Sequence, residues 1–135
     1  MDTLDSLQHM LDGLFPGLLG LRLTHADKER VSGTLTVRED LCTVGNSIHG
    51  GAIMSLADTL GAVGAYLNLP SSKRTTTIES STKFLVGARL GTTVSAESTL
   101  LHGGKTTMVW QTKVLTEDGK LCALVTQTQL VLDAA

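Results

Sequence analysis

A chain of 135 residues with 41% apolar content is enough for one domain around one core. A net charge of −2 gives no electrostatic pull towards nucleic acid or an anionic membrane, and 3% aromatics leaves no stacking platform for bases. Cys42 and Cys122 lack CxxC spacing, which predicts free thiols in a reducing cytoplasm, and His9, His25, His49 and His102 form no metal-ligand pattern. Asp2, Asp5 and Asp12 break up the first stretch, which argues against a signal peptide, and no apolar run reads as a membrane span.

In chain order, residues 2–14 carry Leu4, Leu7, Met10, Leu11 and Leu14 at helical spacing, with Asp2 or Thr3 as cap, and Phe15-Pro16-Gly17 is expected to end that helix. Residues 19–24 and 31–37 alternate apolar and polar around a turn at residues 26–29, which predicts an antiparallel hairpin. Residues 39–48 read as irregular, with Gly45, Asn46 and Ser47 as turn formers. The most apolar stretch follows. From Ala52 to Leu69 only Ser55, Asp58, Thr59, Tyr66 and Asn68 carry polar side-chain atoms, and only Asp58 a charge. Its Ala, Leu and Met content and the stop at Pro70 predict a helix buried on most sides. Residues 70–74 read as a polar connector. Strands are expected at 75–86, 92–101, 106–115 and 121–132, the last two joined by the hairpin signal Asp118-Gly119. There is no βαβ alternation. The predicted class is therefore α+β, a single domain over residues 1–135 with an antiparallel sheet curled around one helix.

The chemistry concentrates around that helix. Gly50 and Gly51 leave their backbone open to close approach, and the first N–H groups of a helix have no partner within it, so this start suits a polarised carbonyl or an oxyanion. A lone carboxylate inside an apolar helix needs partners or a task. Asp58 lies eight residues beyond Gly50, roughly 12 Å along the axis, so one helix cannot easily bring both groups to one atom. Two such helices antiparallel across a two-fold axis would, with Ala57, Gly61, Ala62, Gly64 and Ala65 allowing close approach. This predicts a site shared between two subunits.

The element order, together with His49-Gly50-Gly51 and Leu56-Ala57-Asp58, resembles the hotdog-fold acyl-CoA thioesterases over residues 15–132, above all the PaaI-like group and its 4-hydroxybenzoyl-CoA thioesterase relatives. The resemblance implies the hotdog fold and hydrolysis of a small aryl- or medium acyl-CoA. Asp58 would be nucleophile or general base, the Gly50 N–H the carbonyl-polarising donor with Gly51 beside it, His49 a thioester-positioning group and Thr59 a holder of the attacking water. Many relatives carry Asn or Gln six residues before the motif His and Gly three before it. This chain has Thr43 and Asn46 there, so Asn46 is the candidate for the missing amide. Lys83 and Arg89 flank Phe84-Leu85-Val86-Gly87, where relatives often show Phe-Leu-Arg-Pro, and Gly103-Gly104-Lys105 resembles a loop that contacts CoA phosphates, so Gly104 and Lys105 join the substrate-binding set. The same resemblance implies no metal, no cofactor beyond the CoA of the substrate, a cytoplasmic homodimer or dimer of dimers (a homotetramer), and no nucleic-acid or membrane partner.

From the residues alone, other readings stay open: Asp58 as a structural acid, His49 as a helix cap, Gly50 and Gly51 as turn or packing glycines, Asn46 as a turn former, Thr59 bonded to its own helix, and Lys83, Arg89 and Lys105 as solvated charges. The rival functions are a hydratase or dehydratase acting on acyl thioesters and a non-catalytic acyl-CoA-binding protein.

Overall fold

The computed structural model describes residues 3–134. Helix α1 spans Leu4–Asp12. Thr3 caps it in a reciprocal box: Thr3 Oγ1 accepts from the Ser6 N–H at 3.0 Å, and Ser6 Oγ accepts from the Thr3 N–H at 2.9 Å. Asp2, the other candidate cap, lies outside the described residues. The expected end at Phe15-Pro16-Gly17 is corrected. Helix α1 stops at Gly13, and Phe15–Leu19 forms a second short helix, α2, with Pro16 in its first turn. A proline there gives up an N–H that would have no helical partner anyway, so it starts a helix where a mid-helix proline would break one.

Strands β1 (Arg22–Ala26) and β2 (Arg30–Thr36) form the expected hairpin. Within the stretch expected to be irregular, β3 (Cys42–Thr43) and β4 (Ser47–Ile48) pair as a small separate ladder, its turn made by Gly45 at φ 97° and Asn46 at φ 59°. Helix α3 runs over Gly50–Leu67. Strands β5 (Lys73–Phe84), β6 (Thr93–Gly103), β7 (Thr107–Leu115) and β8 (Leu121–Asp133) complete the chain. Lys73 and Arg74 leave the expected connector because they pair with Asp133 and Leu132. The six long strands form one antiparallel sheet in the order β1-β2-β6-β7-β8-β5.

Helix α3 packs against β2, β5, β6, β7 and β8, and Leu56, Ala57, Leu60 and Ala65 are wholly buried. This is the expected long helix held by an antiparallel sheet. Between its ends the helix stays open on one face, a stripe through Gly51, Ser55, Asp58, Ala62 and Tyr66 with half-buried Met54 beside it, and the stripe's spacing of four, three, four and four residues is helical. Helix α2 packs beside this stripe and α1 packs on α2. None of the described helices is long and apolar enough to cross a membrane. Both cysteines are free thiols.

The small residues of α3 serve a different purpose from the expected one. Of the five, only Ala62 lies on the open stripe. Gly61 and Gly64 face the sheet, where a Cβ would come 2.5 Å from the Gln127 side chain and 2.3 Å from the Trp110 ring. They admit large sheet side chains, not a second helix. Gly64→Ala tests this by sign. Alanine in a helix interior is normally better than glycine by up to about 1 kcal/mol. Here overpacking against the fully buried indole is expected to reverse the sign and cost about 1–3 kcal/mol. Thermal denaturation should give a lower Tm than wild type; a raised Tm would show that Trp110 yields.

Candidate active site

The start of α3 is built around His49. Its Nδ1 accepts from the Gly51 N–H at 2.8 Å, so the neutral ring carries its proton on Nε2. A Cβ on Gly51 would sit 3.0 Å from that Nδ1, so the folded-back ring depends on glycine there. The His49 carbonyl accepts from Ala52 N–H at 2.9 Å and Ile53 N–H at 3.3 Å. Of the first four helical N–H groups, Gly50's is therefore left without a partner among the described residues. The Phe84 ring lies over Gly50, 3.0 Å from where a Cβ would be, and Ile48, Ile53, Leu85 and Val86 complete an apolar recess around it. A free N–H at a helix start beside apolar side chains is the kind of donor that stabilises an oxyanion.

Asp58 sits midway along the open stripe. Its Oδ1 accepts from Thr77 Oγ1 at 2.6 Å and from Gln127 Nε2 at 3.3 Å, and the same amide donates to the Asp58 carbonyl at 3.3 Å. Its Oδ2 has no partner among the described residues. Behind these, Gln129 Nε2 donates to Thr77 Oγ1 at 2.6 Å and Thr75 Oγ1 donates to Gln129 Oε1 at 3.0 Å. Sequence reasoning missed both partners, Thr77 and Gln127, and the two residues behind them. The signal was in β8, where Ala123, Val125, Gln127 and Gln129 occupy alternate positions of the buried face. Amides at two such positions mark a buried polar partner.

Beside Asp58, α1 and α2 roof α3. Met10, Leu11 and Phe15 face Asp58, Ala62 and Tyr66 across an apolar cavity of about 400 Å³ that is open to solvent, with Met10, Phe15 and Tyr66 exposed at its rim. This cavity was not foreseen either, because it needs residues some fifty positions apart.

The remaining expected residues are dispersed. Thr59 also lines the cavity, but its Oγ1 donates to the Ser55 carbonyl at 2.8 Å, within its own helix. Asn46 is exposed at the β3–β4 turn; its carbonyl accepts from the Leu90 N–H at 2.9 Å, and its amide makes no hydrogen bond to Asp58 among the described residues. Lys83 is exposed on β5, and Arg89 is exposed in the loop before β6, bridged to Ser47. Gly104 closes the β6–β7 turn through its N–H to the Thr107 carbonyl at 2.9 Å, with Lys105 exposed beside it. Arg89 and Lys105 therefore lie beyond opposite ends of β6, on the order of 35 Å apart. In one chain, the structure gathers His49, Gly50 and Gly51 at the helix start, places Asp58 and Thr59 two turns along, and leaves the basic residues at two separate ends.

The family model described as "Thioesterase superfamily" matches residues 45–123, the span from the β3–β4 turn through α3 into β8. This chain belongs to that superfamily. It is 29% identical over 130 residues to a 1,4-dihydroxy-2-naphthoyl-CoA hydrolase of Escherichia coli, covering 96% of this chain and 95% of that one. It is 34% identical over 97 residues to the 1,4-dihydroxy-2-naphthoyl-CoA thioesterase 2 of Arabidopsis thaliana, covering 72% of this chain and 61% of that one. Among solved structures, a mutant thioesterase of Pseudomonas aeruginosa superposes with a TM-score of 0.93 at 27% identity, covering 99% and 96% of the two chains. The PaaI protein of Escherichia coli superposes with a TM-score of 0.85 at 22% identity, covering 98% and 99%, a likeness of fold. The hotdog fold and the enzyme class implied by the resemblance, a thioester hydrolase, both stand.

The cap gives a direct test of the helix start. His49→Ala removes the acceptor for the Gly51 N–H and is expected to lower the unfolding free energy by about 1 kcal/mol. His49→Asn, which offers an equivalent acceptor, should lose less. Urea denaturation checks both; equal losses would mean that the ring packs rather than caps.

Proposed function

We propose that this protein hydrolyses acyl-CoA thioesters in a site completed by two copies of the chain. The observation that carries this reading is the Asp58 carboxylate: among the described residues one oxygen is bonded and the other is not, the residue lines an apolar cavity, and it lies on the open stripe of a helix whose first N–H has no partner among them. Within one chain those two groups are roughly 12 Å apart along α3. Helix α3 runs antiparallel to β5, with Gly50 beside Phe84 and Asp58 beside Thr77, and β5 is an edge strand. Two copies meeting on the open stripe and this edge about a two-fold axis are antiparallel, which sets Gly50 of the partner subunit opposite Asp58.

In that arrangement the thioester carbonyl accepts from the Gly50 N–H, and the negative charge that develops on its oxygen is stabilised there. Asp58 Oδ2 either takes a proton from water, which attacks the carbonyl carbon, or attacks that carbon itself to give an anhydride that water then opens. Both routes expel the CoA thiolate, which is protonated on release. His49 presents Nε2–H next to Gly50 and orients the thioester. Gly51 keeps that ring in place, and Thr59 retains lone pairs for the water. Asn46, at its turn, supplies the orienting amide from the partner's side.

The acyl group lies in the cavity under α1 and α2. No Lys or Arg lines it, which favours an uncharged aryl or medium-length acyl group over one with a second carboxylate. Antiparallel pairing also brings the Lys83 and Arg89 end of one chain to the Gly104 and Lys105 end of the other, which would give the CoA phosphates a basic surface. The proposed assembly is a cytoplasmic homodimer or dimer of dimers.

Free-thiol release from a panel of aryl- and alkyl-CoA esters tests the reading. Asp58→Asn is expected to cut kcat by about 10²–10⁴-fold. A folded variant with wild-type turnover would overturn it. The donor has its own test. Gly50 is the first helical residue, where proline is tolerated, and His49 at ψ 136° already suits a residue before proline. Gly50→Pro removes the N–H while adding a ring whose Cβ meets Phe84, and should lower kcat by about 10²–10³-fold. Gly50→Ala makes the same Cβ contact with Phe84 but keeps the N–H and should stay active. Equal losses in the two would show that the N–H is not the donor.

A further inference from the structure

We propose that Thr77 and Gln127, with Gln129 behind them, are positioning residues that hold Oδ1 of Asp58 and so present Oδ2 to the thioester. This rests on the reading of Asp58 as the reacting group and adds how its carboxylate is aimed.

The hydrogen bonds have one direction. The Asp58 carboxylate only accepts, which leaves the Thr77 oxygen to face Gln129 Nε2; Gln129 Oε1 then faces the Thr75 hydroxyl, whose single hydrogen is shared with the Leu130 carbonyl at 3.1 Å. Thr77 Oγ1 accepts the Gln129 N–H, and its single hydrogen goes to Asp58 Oδ1, at 2.6 Å. Gln127 is equally constrained. Its amide faces two acceptors, the carbonyl and Oδ1 of Asp58, so the nitrogen must point there. Among the described residues two donors therefore meet on Oδ1 and none on Oδ2, and a partial rotation of the carboxylate about its Cβ–Cγ bond would break both.

Stability alone does not account for a glutamine at position 127. Pointing Nε2 at Asp58 leaves Gln127 Oε1 buried with no partner among the described residues, a cost that an apolar side chain of similar length would not carry. The amide also needs the space of a missing Cβ at Gly61, 2.5 Å away, which puts a glycine in the middle of the helix. Both are concessions, and what they secure is the orientation of one carboxylate.

The test compares Thr77→Val, Thr77→Ser, Gln127→Met and Asp58→Asn by CoA release, with Tm for each. Valine keeps the shape of threonine and loses the donor. A misaimed carboxylate should then lower kcat by about 10–100-fold with KM near the wild-type value. Serine should restore most of the loss. Gln127→Met should lower kcat while leaving Tm unchanged or raised, because the orphan acceptor goes with the amide. If Asp58→Asn is inactive while Thr77→Val and Gln127→Met turn over like wild type, or if they lose only Tm, the network is structural and the inference fails. It fails also if serine is no better than valine at position 77. An active Asp58→Asn would overturn the reading of Asp58 and this inference with it.

Discussion

The structure is arranged around one charged group in an otherwise uncharged helix. A carboxylate inside an apolar helix is tolerated only with donors or an opening to solvent, and Asp58 has both. The donors come from the sheet side, from β5 and β8. The opening is the stripe through Gly51, Ser55, Asp58, Ala62 and Tyr66, which the six-stranded sheet leaves uncovered. Helices α1 and α2 shade one flank of that stripe and shape the cavity, while the β5 edge forms the other flank. Core packing, cavity and exposed seam thus follow from how one helix is wrapped.

The helix start adds a second constraint. His49 uses its ring for one N–H and its carbonyl for two more, and Gly50 keeps a donor that has no partner among the described residues. A free donor and a half-open carboxylate on one rigid helix cannot act on the same atom across roughly 12 Å. The distance, more than any single contact, is what calls for a second copy of the chain in the proposed mechanism.

What was legible in the sequence was local. The long helix showed through its composition and its stop at Pro70, the strands through alternation and glycine-bearing breaks, and the candidate site through His49-Gly50-Gly51 and the lone Asp58. What was not legible depends on context. Pro16 breaks or starts a helix according to which residue ends α1, and Gly13 does so first. Gly61 and Gly64 look alike whether they face a second helix or a sheet, and here the facing groups are Gln127 and Trp110. The partners of Asp58 lie 19 and 69 residues away, so only the strand register brings them in. Register was also needed to show that Arg89 and Lys105, each plausible in its own loop, lie at opposite ends of β6.

The most direct measurement of the shared-site account is complementation between two inactive variants, Gly50→Pro and Asp58→Asn, each purified alone and then co-expressed in one cell. In a mixed dimer one site takes both damaged residues and the other takes neither. Random assortment then predicts CoA release at about a quarter of the wild-type rate, with neither variant active by itself. If the co-expressed pair forms mixed dimers and still releases no CoA, Gly50 and Asp58 do not act across two subunits, and the account is contradicted.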